Sequence, residues 1–163
     1  MSTEPKSQQH NLDGNNEYEA ALDTLFAQSG RTLRIFDRAL STGYNSPRRY
    51  DLLRAFLLSS REARIRIVVH DASNLVRDCP RMINLLRSFS HAIGFNETQS
   101  EAKGVYDPFA VLDELHYVHR FHYDGPRGVL ALEEPQGAAG LVQRFNEIWE
   151  ASAPSVSATT LGL

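Results

Sequence analysis

Apolar positions along the chain change period several times, and each change marks an element. From Glu17 to Gln28, the residues Tyr18, Ala21, Leu22, Leu25 and Phe26 recur at the spacing of a helix with one buried stripe. Gly30 supplies its stop. The run Arg31–Asp37 (RTLRIFD) then alternates: Leu33 and Ile35 face one way, Arg34 and Phe36 the other, as on a strand. After a loop carrying Ser41, Thr42 and Gly43, Asn45 or Ser46 is placed to cap a second helix, with Pro47 in its first turn. That helix is expected to end near Ser59 and to bury Leu52, Leu53, Phe56 and Leu57, leaving Arg48, Arg49 and Arg54 largely outside. Ala63–His70 (ARIRIVVH) alternates arginine with isoleucine before two successive valines, the pattern of a strand entering a buried sheet. A helical turn near Leu75 and Val76 follows. Pro80 then opens a helix with Met82, Ile83, Leu85, Leu86 and Phe89 as core candidates, ending near Gly94.

The second half reads differently. Asn96–Ala102 is expected as an edge-like strand, Phe109–Leu112 and His116–Tyr123 as two more strands joined through Glu114-Leu115. Gly125-Pro126-Arg127-Gly128 is a turn, and Val129–Leu132 a further strand. Pro135 opens a last helix with Leu141, Val142, Phe145, Ile148 and Trp149 at amphipathic spacing. The order α-β-α-β-α-β-β-β-β-α begins with βαβ units, which require right-handed crossovers between parallel strands. The fold class expected is one α/β domain over residues 16–150, a mixed β-sheet flanked by helices on both faces. Residues 1–15 are polar and are expected as a disordered tail, and residues 151–163 as a flexible one.

Composition narrows the function classes. The 163 residues are 42% hydrophobic and 23% charged, with a formal net charge of −3, so the chain is neither wholly disordered nor driven by charge onto nucleic acid or anionic membrane. No apolar run approaches the roughly 18 residues of a membrane span. Nor does the start of the chain read as a signal peptide. Cys79 is the single cysteine, so no internal disulfide forms, and a cytoplasmic location is expected.

Three groupings carry candidate chemistry. His116-x-x-His119-x-x-His122 looks like a metal run, but on a strand His116 and His122 share one face and His119 takes the other, so no metal is expected. Asp37 and Arg38 end one strand, and His70 and Asp71 end the next. If the strands are parallel neighbours, these four share the rim where ligands bind in open α/β sheets. The plainer alternative is that both aspartates cap the segments that follow. Arg31, Arg34, Arg48, Arg49, Arg54, Arg61, Arg64 and Arg66 crowd the first half, either as a phosphate-binding face or as a solvated one balanced by acids elsewhere. No glycine-rich phosphate loop, nucleophile elbow, zinc spacing or H-E-x-x-H is present, and no cofactor is expected.

From Val105 onward the chain resembles the C-terminal half of a phospholipase D-like repeat. That family carries H-x-K-x4-D on a strand and a final helix ending in F-x-x-x-W. Here Phe145-Asn146-Glu147-Ile148-Trp149 matches the helix ending and Asp113 the motif aspartate. The histidine position holds Tyr106 and the lysine position Pro108. The resemblance implies a histidine nucleophile and a phosphate-stabilising lysine, and neither replacement does that work. Over Arg31–Pro154 the chain is also similar to a bacterial domain family of unknown function that often follows a GNAT-type acetyltransferase domain. IRIVVHD, the Pro80–Phe89 helix, FAVLD with Arg120 beyond it, and FNEIWEASAP carry that similarity. No acyl-CoA-binding loop is present, so no acetyltransferase activity is implied.

Three functions compete. The favoured one is a catalytically inactive phospholipase D-like interaction or regulatory module, expected as a homodimer, with a protein partner as a further possibility. The second is an enzyme with a rebuilt site, which requires Tyr106, Asp113, His116, His119 and Arg120 to converge in one cleft. The third is a phosphate-ligand- or RNA-binding module using the arginines and the rim Tyr and His residues.

Overall fold

A computed structural model describes residues 7–155. Eight strands form one mixed sheet in the order β1-β7-β6-β5-β2-β3-β4-β8. β2 (Thr32–Asp37), β3 (Arg64–Val69) and β4 (Ile93–Thr98) are parallel, as the βαβ reading requires. β5 (Phe109–Leu112), β6 (His116–Arg120) and β7 (Arg127–Leu132) add antiparallel strands on the other flank of β2.

Both ends of the sheet depart from expectation. Gln8–Asp13, expected within a disordered tail, forms β1 and pairs with β7 in continuous register from Gln8↔Leu132 to Asp13↔Arg127. Only Leu12 of β1 is buried, so backbone pairing rather than side-chain burial holds this edge strand. Ser152–Pro154, expected within the flexible C-terminal tail, forms β8 against Asn96–Thr98 of β4. Residues 1–6 and 156–163 of the expected tails lie outside the described residues. The strand placed at Asn96–Ala102 starts earlier, at Ile93, because α4 (Pro80–Ser88) stops short of Gly94; Ser100–Ala102 is a 3-10 turn.

The sheet's alternation separates two cores. Leu33, Ile35, Ile65, Ile67, Val69 and Phe95 face α1 (Asn15–Phe26), α2 (Pro47–Leu58) and α4. Phe36, Val68, Phe109, Val111 and Tyr117 face α5 (Pro135–Glu150), whose Ala138, Leu141, Val142, Phe145 and Ile148 are buried. α3 (Leu75–Asp78) is the short turn expected after β3. Ser46 caps α2 as anticipated, its hydroxyl accepting the Arg49 N–H at 3.1 Å, with Pro47 at the first helical position.

Arg49 corrects the expected outer face of α2, being only 1% exposed. Its guanidinium meets Asp23 at 2.8 Å and Glu19 at 2.8 Å and stacks 4.4 Å from the Tyr44 ring. Two carboxylates and an aromatic face satisfy a cation that burial alone would exclude. Its place four residues before Leu53 puts it on the buried stripe.

Candidate functional site

The strand directions bring one set of chain ends to a common rim. The carboxyl ends of β2, β3, β4 and β6 lie there, with the amino ends of β5 and β7. Asp37, Arg38, His70 and Asp71 do share it: His70 N–H donates to the Asp37 carbonyl at 3.3 Å and Asp71 N–H to the Arg38 carbonyl at 2.9 Å. Their side chains then part, because alternation sends Asp37 toward α1 and His70 toward α5.

On the α5 side His70 is held at both nitrogens. Nε2 lies 2.6 Å from the Val105 carbonyl, which only accepts, so Nε2 carries the proton and Nδ1 accepts from the Thr98 hydroxyl at 2.7 Å. Burial holds its pKa below the usual imidazole range, with Lys103 nearby adding to the effect against the Val105 bond. The Lys103 ammonium donates to the His70 carbonyl at 2.6 Å. His70 thus fastens the segment leading into β5.

Beside it, Asp107 receives His119 Nε2 at 2.8 Å and a two-pronged hydrogen bond from Arg144. Burial would raise the Asp107 pKa, but the bonds from His119 and Arg144 outweigh it and hold the carboxyl below its ordinary range. The His119 ring stands edge-on to Phe121 and Phe109, at 5.2 and 6.2 Å between centroids.

On the α1 side are Asp37, Tyr18 and Arg120. Burial pushes the Asp37 carboxyl up to about 7, although its backbone bond from Arg38 opposes this. Arg120 donates to the Gly125 carbonyl and to Asn15, and lies 5.5 Å over the Tyr18 ring. Tyr106, 52% exposed, sits against His122 and Tyr123, whose rings stack at 4.8 Å, and the Arg38 guanidinium covers Tyr123 at 4.6 Å. Pro108 is buried.

The five residues required to converge do not. Tyr106, His119 and Arg120 reach the rim, on two faces of it, while Asp113 and His116 lie at the opposite pole of the sheet. Asp113 Oδ1 accepts the Arg31 and Thr32 N–H groups at 3.0 and 2.9 Å, tying the end of β5 to the start of β2. His116 Nδ1 accepts the Glu133 N–H at 2.9 Å. The rim aspartates also take local backbone bonds, Asp37 from Arg38 N–H and Asp71 from Ser73 N–H, but neither caps a helix, since Ser41 and Asn74 hold the N-cap positions that follow. Cys79 is buried, and desolvation raises its thiol to about 11.

Sequence reasoning missed Asp107 and Arg144, the most tightly joined charges of the rim. Asp107 stands one residue from the motif's first position, and Arg144 precedes the Phe145 that marked the helix ending. No spacing rule links two residues that only the sheet and α5 bring together.

This mixed sheet with helices on both faces is a phospholipase D-like fold. Nuc of Salmonella typhimurium, a phospholipase D family member, is similar at a TM-score of 0.67 and 12% identity, over 93% of this chain and 100% of that one. TrmBL2, an archaeal chromatin protein, is similar at 0.65 and 11% identity, over 91% of this chain and 54% of that one. Phosphatidylserine synthase of Haemophilus influenzae is similar at 0.60 and 17% identity, over 94% and 41%. Residues 14–161 match the model of a domain family of unknown function, DUF7931, and the chain belongs to that family. No curated protein sequence matches it.

Proposed function

We propose that the chain is a catalytically inactive phospholipase D-like module that works by association, with a second copy of itself as the first partner. One observation carries this: the positions the resemblance assigns to a nucleophile and its lysine hold exposed Tyr106 and buried Pro108. The rim's imidazoles do not replace them. His70 has both nitrogens engaged, His119 is tied to Asp107, and His122 Nδ1 accepts the Asp124 N–H. Phosphodiesterase assay with bis(p-nitrophenyl) phosphate, with and without divalent metal, should show no turnover above buffer. Turnover lost in Asp113→Ala or His119→Ala at a temperature where both remain folded would refute inactivity. A monomer by native mass spectrometry at all micromolar concentrations would refute self-association.

A second reading, binding of RNA at the rim, is favoured by the Tyr106–His122–Tyr123 stack beneath Arg38, since nucleobases stack on such rings. It predicts affinity for a single-stranded oligonucleotide that falls with salt and falls further in Tyr106→Ala. Equal binding by that variant removes this reading.

A further inference from the structure

Two arginines stand side by side on the α5 face, away from the rim. Arg34 of β2 and Arg66 of β3 are register partners, so their Cα atoms lie about one strand spacing, ~4.8 Å, apart on the same face. Phe36 and Val68 separate them from the rim on that face. Like charges directly opposite on neighbouring strands repel. Among the described residues neither guanidinium has a carboxylate within 4.0 Å, while Arg31 and Arg49 of the same half-chain do.

The pair is partly enclosed on its Arg34 side and exposed at Arg66. Arg34 is half-buried and its Nε is enclosed without a hydrogen-bond acceptor. Arg66 lies 5.6 Å over the Trp149 indole. Gly94, the β4 partner of Arg66, leaves room for that indole, since a Cβ there would meet it at 3.0 Å. Burial and Arg66 together lower the Arg34 pKa, and Glu114 and Asp113 only partly offset them. Two guanidinium groups thus stand together, and among the described residues neither has a direct acceptor.

We infer that Arg34 and Arg66 form a binding site for a phosphoryl oxyanion, flanked by Trp149. A phosphoryl group fits better than a carboxylate. Two guanidinium forks offer donors to more than two oxygens, and a dianion answers both charges. The site is separate from the rim and does not depend on whether the rim is catalytic.

Trp149 is the only tryptophan, so its fluorescence reports from beside Arg66. The full chain is titrated with inorganic phosphate and with a phosphoserine peptide, each against sodium chloride at matched ionic strength and the unphosphorylated peptide. A saturable change with either phosphorylated probe is expected. Which probe acts identifies a free or a side-chain-borne phosphoryl group. Arg66→Gln, at an exposed position, and Arg34→Gln should each weaken it at least tenfold. Arg64→Gln should leave it within twofold, because the Arg64 guanidinium already donates to the Arg61 and Ala63 carbonyls. Circular dichroism confirms folding of each variant. No response beyond chloride in the wild type, or equal affinity in Arg66→Gln, overturns the site.

Discussion

Asp113→Ala should weaken the fold without touching the rim. The native carboxylate accepts two backbone N–H groups, from Arg31 at 3.0 Å and Thr32 at 2.9 Å, in a partly exposed setting. At about 1 kcal/mol each, the ordinary net value for a hydrogen bond in a partly exposed setting, their loss costs about 2 kcal/mol. Asp113 also has φ +54, where alanine fares worse than aspartate by up to ~1 kcal/mol. The sum is about 2–3 kcal/mol, and at ~2–4 °C per kcal/mol for a domain of this size the melting temperature should fall by ~5–10 °C. Asp113→Asn keeps the acceptor and tolerates the left-handed backbone, so it should lose only about 1 kcal/mol, or ~2–4 °C. Urea and thermal denaturation followed by far-UV circular dichroism measure the free energies and melting temperatures of both. An Ala variant within 1 °C of wild type, or an Asn variant as damaged as the Ala variant, refutes the assignment of Asp113 as the tie between β5 and β2.

Other perturbations test other parts. Gly30→Ala places a Cβ 2.6 Å from Leu112 Cδ1 and 2.9 Å from Asp113 Oδ2, and should cost about 1–3 kcal/mol in the same urea assay. Arg49→Ala strands Glu19 and Asp23 against a cavity and should cost about 3–5 kcal/mol; Arg49→Met, which refills the space, should cost less. The folded Asp37 carboxyl, near 7, binds its proton more tightly than the ordinary carboxyl near 3.9 of the unfolded chain, so its contribution to stability is present below pH 4 and lost as pH rises to 7. Asp37→Asn should therefore raise the melting temperature at pH 8 and change it little at pH 4. His70 is lowered chiefly by burial, so it contributes stability above the unfolded value near 6.5 that disappears as pH falls through the folded one. His70→Asn should flatten the decline in melting temperature between pH 7 and pH 5.

What was legible in the sequence followed burial. β2, β3, α2 and α5 carry apolar residues at periods of two or 3.6, and each occurs near its expected place. β1 was invisible because QQHNLD buries one side chain and is held by backbone hydrogen bonds, which leave no hydrophobic trace. Arg49 occupies a buried position of the helical period, which its charge, a mark of the surface, conceals. The rim was half legible: strand ends marked Asp37, Arg38, His70 and Asp71. The joining of Asp107 to Arg144 and His119 depends on pairings across the sheet that no local pattern encodes.

The pairing of β1 with β7 sets an order of assembly. β2, β3 and β4 meet across connections of fewer than thirty residues, but Leu12 waits for Gly128. At ~5–20 residues per second of synthesis, β1 emerges roughly 6–23 s before its partner. For that interval it is a polar strand with nothing to pair with, and once β7 forms, the open slot accepts β1 from the same chain or from a neighbouring one. Polysomes, where nascent copies are crowded, are therefore where strand exchange between two chains would begin, and dilution during translation is the variable that controls it.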